Sequence, residues 1–594
     1  MSKWKTLVST IVENELLRSL RVLPSPLRGG VGGGGSHGSD AARSFTPPLA
    51  PSRQGEGNSV ERVSRFAFHR ARTLAGAAAI AAAALLAPPA TAATPGVLVT
   101  GDNLPANVDP HQIFDVPMQF YSLNAYDNLY RYQGNPPTLE PWLAESHTVT
   151  ADGLTWEFKL RAGAKFHDGS EIVADDVAYS FKRVLAIGKA PSGAFKPVLK
   201  PDNVTAPDKS TVRFVLDKPY APFLAAIPIV AIVNPRVVKA NEKNNDWGAV
   251  WLASNGAGSG AYQLDAATYR PLERGDLKKS AGHFKGWADN PKAPAMIQVL
   301  PTRETSTRVL ALLQGSVDMT DSYLPTDQVE RIQKAKGVHI EKNTSMRVFI
   351  LRMNNKKAPL DNINARKCFA HAFNYDGFIK EILKGYAERN PAPMPNNLWG
   401  YPKDVVGYDY DLKKAKAFCD KAKAEGAPIG RPIQIHTQSQ LEQTNQAAQL
   451  FQSDLAQVGV NLKIISDTWA NITTNTAKAE STPDLWIHWV STYFVDPENW
   501  VGQMYDSQFH GTWKASAWYQ NAKVDELLRK ARVTVAQAER QPLYEEATRL
   551  IVADSPDIWV YNTVEIRGVT DRVKGFRFSP VGSGGEMRWV QLTD

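Results

Sequence analysis

The longest apolar run in this 594-residue chain, Leu74 to Ala87 (LAGAAAIAAAALLA), has only 14 residues. A helix that spans a bilayer needs about 20 apolar residues, so this run is too short to cross one. No later stretch of about 18 apolar residues occurs, so the remaining chain must bury its apolar side chains within itself. Arg62, Arg65, Arg70 and Arg72 precede the run; Pro88, Pro89 and Ala90-Thr91-Ala92 follow it. A basic segment, a short apolar segment and A-x-A, in that order, form a secretory signal peptide over 58–92, with cleavage after Ala92. No cysteine stands at the cleavage point and no Arg-Arg pair precedes the run, so neither a lipid anchor nor twin-arginine export is expected. Residues 1–57, with GGVGGGG at Gly29 to Gly35 and a Pro-rich Thr46 to Ser52, lack the means to bury a core and are expected to be disordered. A signal peptide normally begins at the N-terminus, so the start is expected near Val60, later than Met1.

Charge divides at the same place. Residues 1–92 hold 11 basic and 5 acidic side chains, leaving 57 and 55 in 93–594. The exported part is close to neutral, which excludes nucleic-acid binding through a large positive field. At 43% hydrophobic and 22% charged the whole 594-residue chain has the composition of a globular protein, with room for three or four domain-sized units. Cys368 and Cys419 are the only cysteines; without a Cys-x-x-Cys they form no zinc ribbon or thioredoxin-like site, and their pairing stays open.

The exported part alternates strand and helix patterns without a repeat, which reads as α/β in more than one lobe. Val97 to Thr100 reads as a strand. Phe120 to Tyr132 reads as helical, from Leu123, Tyr126, Leu129 and Tyr130 at i, i+3, i+6, i+7. Leu154, Trp156, Phe158 and Leu160 alternate with polar residues, as in a half-buried strand. Val177, Phe181 and Val184 mark a helix from about Ala174. Ser254 to Gly260 (SNGAGSG) is a candidate flexible joint. Ala365 to Phe378, Tyr410 to Ala424 and Gln443 to Gln457 read as helices, Arg347 to Met353 and Asp484 to Val490 as apolar strands.

No chemistry-bearing motif stands out. There is no G-x-x-x-x-G-K-[ST], H-E-x-x-H or G-x-S-x-G, and GAGSGA at Gly256 to Ala261 lacks the last glycine of a dinucleotide loop. His167-Asp168-Gly169 reads as a turn, and His488 as a core or cleft-lining histidine. Cys368 and His371, at i, i+3, lack further ligands for a metal. No catalytic set, metal or cofactor is expected.

Several segments together resemble one family, the peptide/nickel-type extracytoplasmic solute-binding proteins, family 5, of ABC importers. They are LVTGDNLPANVDPH, YDNLYRY, the block LEPWLAESHTVTADGLTWEFKLRAGAKFHDGSEIVADDVAYSFKRVL, GSGAYQL, RVFILRMNNKKAPLDNINARKCFAHAFNYDGFI, YDYDLKKAKAFCDKA and LFQSDLAQVGVNLKI. The likeness runs from about Leu98 to Trp589. It implies a periplasmic-binding-protein type II clamp: lobe one from 93–121, 251–346 and 563–594, a small domain of 122–250 inserted in it, and lobe two from 347–562. It implies a monomer in the periplasm that captures a peptide or similar polar solute between the lobes and delivers it to a membrane permease driven by ATPases. The expected ligand contacts are His488, Trp489, Ser491, Thr492 and Tyr493, faced by His436 and Gln438, with Phe114 and Asp115 from lobe one.

Departures from the family pattern concern the ligand. Tyr493 stands where dipeptide-binding members place an aspartate for the peptide amino group. The 436–440 loop, HTQSQ, lacks their arginine for the carboxylate. A buried charged terminus without a counter-charge costs several kcal/mol. A longer peptide held by its backbone, or an uncharged solute such as an oligosaccharide, fits better than a dipeptide; a metal complex and, from another class, an exported hydrolase are the rivals. Ala261 replaces a proline, and Val173 a threonine that would cap a helix.

Overall fold

The computed structural model describes residues 94–593, apart from Arg303, Tyr323, Gln440 and Ser583. The leader and cleavage point expected within 1–92 lie outside the described residues.

The polypeptide is α/β throughout. Val97–Thr100 pairs in parallel with Met296–Val299, almost two hundred residues on, and Gly275–Lys279 and Tyr262–Leu264 complete that four-stranded sheet. A second four-stranded sheet, wholly antiparallel, forms between them in sequence from Ala144–Val149, Thr155–Leu160, Thr211–Val215 and Val204–Asp208. The alternation around Trp156 has the expected result: Trp156, Phe158 and Leu160 point into a core with Phe181, Phe195, Phe214 and Phe223. Phe181 belongs to the Ala174–Ile187 helix, whose Val177 and Val184 are fully buried. Val173 precedes that helix and has no acceptor in its side chain, so half of the capping box remains: Asp176 Oδ2 accepts from Val173 N at 2.9 Å.

The third sheet has six strands, in the order Ala387–Arg389, Asp557–Thr570, Val338–Met353, Leu485–Val490, Ile433–Gln438, Leu462–Asp467. Two of its strands are long. Val338–Met353 and Asp557–Thr570 pair antiparallel along their length, with register shifts between Thr344 and Val348 and between Phe349 and Ile350. Beyond the shift the Val569 end bridges to Met319, which in turn bridges to Thr100 of the first sheet. The expected boundaries near 347 and 562 therefore fall inside two continuous strands, beside a bulge. A Cys368–Cys419 disulfide joins the Ile363–Ala372 and Leu412–Ala424 helices over this sheet.

Three local expectations are corrected. The helix near Phe120 is Val116–Ala125; Tyr126 is already extended, and Tyr130–Gln133 is a strand. Tertiary bonds override the helical spacing there. Asn128 Nδ2 donates to Pro228 O and Val230 O, and Asp127 accepts from Trp142 Nε1 at 2.7 Å. The next helix stops at Ala372 rather than Phe378, because Asn374 turns out of the helix and caps a short turn, accepting from Gly377 N. Ser254 to Gly260 is not a loose joint. Gly260 N donates to Ala125 O and Gly258 O accepts from His167 N. A Cβ on Gly258 would lie 2.0 Å from Ala125 O, so the glycines permit backbone-to-backbone packing. The His167-Asp168-Gly169 turn forms as expected, with Gly169 at φ +85°.

Candidate functional site

The site grows from the Leu485–Val490 strand, every residue of which is buried. Neighbouring side chains on a strand point to opposite faces. Trp489 lies opposite Phe349 and meets its ring edge-on at 4.8 Å; Phe349 in turn stacks on Tyr561 at 4.8 Å. His488 points the other way. It stacks on Trp486 at 4.0 Å and packs edge-on against Trp513. Its Nδ1 lies 3.1 Å from Trp489 O, and Nε2 has no hydrogen-bond partner among the described residues. Burial, then the nearby Arg352 charge, holds its pKa well below 6.5, so it is neutral.

The chain leaves the strand at Ser491, whose carbonyl accepts from Asn499 Nδ2 at 3.0 Å. Thr492 O accepts from Gly582 N at 2.9 Å, a bridge to the C-terminal return. Tyr493 meets Phe114 with ring centroids 4.7 Å apart, and Val495 N donates to Tyr132 Oη at 3.1 Å. Asp115, next to Phe114, caps the Val116–Ala125 helix by accepting from Met118 N; burial raises its carboxyl pKa.

Two cavities flank this loop. One is lined by Phe114, Gln119, Arg131, Tyr132, Tyr493 and Val581, among others. The other has Trp489 and Tyr561 as aromatic walls, Arg308 and Arg347 as basic groups, and Gln443 and Gln446 as amides. Arg347 donates to Glu565 at 2.9 Å, both buried, and its guanidinium lies 5.4 Å from the Trp489 ring. Arg308 pairs with Asp321. Each cavity brings together residues distant in the chain: Arg308 and Trp489 in one, Phe114 and Tyr493 in the other.

Of the residues expected from the sequence, Trp489, Tyr493 and Phe114 line these cavities. His488, Ser491, Thr492, Asp115, His436 and Gln438 are not among their walls. His436 lies opposite Trp486, on the His488 face, with Nδ1 3.1 Å from Asp467. Gln438 Nε2 donates to Ile487 O. The sequence reading passed over Arg308, Arg347, Tyr132, Gln443 and Tyr561. A signal existed for Arg347, a charge at the head of the apolar run RVFILRM.

Among the described residues no group of three or more His, Cys, Asp or Glu side chains is disposed to hold a metal, and no helix is long and apolar enough to cross a membrane.

Residues 138–511 match the model of the bacterial extracellular solute-binding proteins, family 5. The chain is 30% identical over 495 residues to the "Probable D,D-dipeptide-binding periplasmic protein DdpA" of Escherichia coli K12, covering 80% of this chain and 90% of that one. It is 26% identical over 481 residues to the heme-binding protein A of Haemophilus influenzae, covering 78% and 86%. Its fold is similar to that of the periplasmic binding protein DppA from Helicobacter pylori in complex with the peptide STSA, at TM-score 0.74 and 26% identity, over 84% and 98% of the two chains.

Proposed function

Because the chain belongs to the bacterial extracellular solute-binding proteins of family 5, we propose that it captures a peptide between two lobes and hands it to the permease of an ABC importer. The family consists of substrate-binding transport proteins, and this chain is read as one without chemistry of its own. It is read as a periplasmic monomer, exported by the leader that ends at Ala92 and driven in transport by the permease's ATPases. The lobes are those expected from the sequence, with the small domain inserted in the first.

One observation carries the reading: each cavity is walled by segments that the proposed division assigns to different lobes, Arg308 with Trp489 and Phe114 with Tyr493. A ligand shifts an open form toward a closed one only through contacts it makes in the closed form, and a ligand in these cavities touches both sides. The walls suit a peptide. Gln443, Gln446, Ser322 and Thr326 offer hydrogen bonds to a backbone, while Trp489, Tyr561 and Tyr386 offer ring faces that accept varied side chains. The relatives named for a D,D-dipeptide and solved with a tetrapeptide support this class. Trp489, Tyr493 and Phe114 are the contacts favoured by position. Ser491 and Thr492 act by shaping the loop, and His488, His436, Gln438 and Asp115 by packing behind it.

Native mass spectrometry on residues 93–594, purified without unfolding, tests the reading. A mixed set of bound peptide masses is expected. A single non-peptide mass would overturn the peptide and favour another solute, as the heme-binding relative illustrates for its own ligand. Turnover of offered peptides would overturn the transport reading in favour of a hydrolase.

A further inference from the structure

The two cavities that flank the loop are chemically unlike. The one at Trp489 has Arg308, Arg347, Gln443 and Gln446 among its walls. The one at Tyr493 is built largely from Ile113, Phe114, Leu123, Ile229 and Val581, with the rings of Tyr132 and Tyr493. Most polar groups on its walls are occupied by the protein itself. Asn128 Nδ2 donates to Pro228 O at 2.8 Å and Val230 O at 3.0 Å. Tyr132 Oη donates to Ala225 O at 2.9 Å and accepts from Val495 N at 3.1 Å. Ser579 Oγ donates to Val581 O at 3.3 Å. Arg131, which is buried, donates to Glu586 at 2.6 Å and to Tyr126 O at 2.7 Å. Gln119 and Ser122, two further polar walls, carry no charge.

Charge around this cavity works against a charged occupant. Among the described residues that line it, Arg131 is the one charged side chain, and none is an aspartate or glutamate. Lys514 stands behind Tyr493, with Nζ 4.7 Å from the centroid of its ring. Asp115, next to Phe114, is not a wall; its Oδ1 accepts from Met118 N and caps the helix. An ammonium placed here would meet cations and no carboxylate, and a buried charge without a counter-charge is unfavourable. A carboxylate would meet only Arg131, which Glu586 already matches. An apolar group would meet apolar side chains and ring faces, and its burial is favourable in proportion to its area.

Resting on the peptide reading above, we propose that the cavity at Tyr493 selects the ligand by seating an uncharged, apolar group of the peptide. That group is either an apolar side chain or an acyl cap on the amino terminus, and the experiment separates the two.

Three pools of synthetic peptides, three to five residues long, are offered to the full exported chain. The first has only glycine, serine and asparagine, with a free amino terminus. The second is the same set with one leucine or phenylalanine. The third is the first set with a butanoyl group on the amino terminus. Binding is read by native mass spectrometry and titration calorimetry. The wild type is expected to hold the second or third pool about tenfold more tightly than the first, as burial of one apolar group brings. A gain in the second pool names the side chain as the source, and a gain in the third names the acyl cap. Leu123→Asn replaces an apolar wall at a half-buried helix position, and Ser122→Leu fills the cavity. Both are expected to bring the pools together, with thermal melts reporting the fold of each. Equal binding of all three pools by the wild type, or tightest binding of the first, would overturn the apolar group and leave the peptide reading standing. A ranking unchanged in both variants would remove this cavity as the seat. Binding of no pool would overturn the peptide reading itself. Should one variant not fold, the wild-type ranking and the other variant decide.

Discussion

The Phe114 and Tyr493 rings, tilted by 32° with centroids 4.7 Å apart, pack against each other on the wall of one cavity. Beside them Thr492 and Gly582 exchange a backbone hydrogen bond.

Tyr493→Ala removes the ring that meets Phe114. Aromatic pairs contribute about 1 kcal/mol beyond the area they bury. Affinity for the co-purified ligand should fall about fivefold or more by calorimetry, in a variant that still folds but melts lower because Tyr493 is buried in a core cluster. An unchanged affinity would take Tyr493 out of the site.

Gly258→Ala places a methyl 2.0 Å from the carbonyl oxygen of Ala125. Backbone cannot yield as a flexible side chain can, so the cost should reach or exceed the upper end of overpacking, about 3 kcal/mol. Denaturant unfolding should show a lowered midpoint, or the variant should fail to accumulate. A neutral result would mean that this segment is as loose as its glycine content suggests.

Arg347→Ala strands the Glu565 carboxylate, which is buried and 2.9 Å from the guanidinium. Losing one member of a buried pair costs about 3–5 kcal/mol. The double change Arg347→Met with Glu565→Gln should recover much of that stability in urea titrations. Ligand affinity should not recover if Arg347 also contacts the ligand.

His111 is buried, Nε2 lies 2.8 Å from Ala231 O, and burial, aided by the Arg183 charge, lowers its pKa from 6.5 to about 4. A folded pKa below the unfolded one means that the unfolded chain binds the proton first. Its contribution is therefore complete above about pH 6.5 and is lost as pH falls toward 4, by about 3 kcal/mol in all. His111→Asn should flatten the acid side of a stability–pH curve over that window. An unaltered slope would contradict the neutral, buried histidine.

Opening the Cys368–Cys419 disulfide frees a loop of 51 residues. Loop entropy assigns such a bond about 3–4 kcal/mol. Reductant should lower the melting temperature, and Cys368→Ser with Cys419→Ser should abolish the reductant effect.

Much of the fold was legible because period and burial agree: Trp156 and Phe158 alternate into a core, and Val177, Phe181 and Val184 form one helical face. The misreadings share a cause. Leu129 and Tyr130 keep helical spacing, yet the bonds of Asp127 and Asn128 to distant residues pull that stretch into a strand. Gly258 and Gly260 look like hinge residues until Ala125 is seen against them. At the site, the Leu485–Val490 strand was visible, but not which of its faces borders space. Phe349 and Tyr561 put Trp489 on that side and leave His488 on the other, and both partners lie far away in sequence. Arg308 lies in the first turns of the Thr305–Leu313 helix, where its position by itself marks an ordinary helix residue.

The pairing of Val97–Thr100 with Met296–Val299, and of Gly101 with Met319, has a consequence in time. The Val97–Thr100 strand leaves the ribosome some two hundred residues before its partner exists. Met319 must then wait for Val569, near the end of synthesis, to complete its own bridges. Contacts so distant along the chain form slowly. While translation proceeds, the Val97–Thr100 strand has no sheet partner until Met296–Val299 has been made, and the link from that sheet to the long strand pair waits almost for the end of the chain.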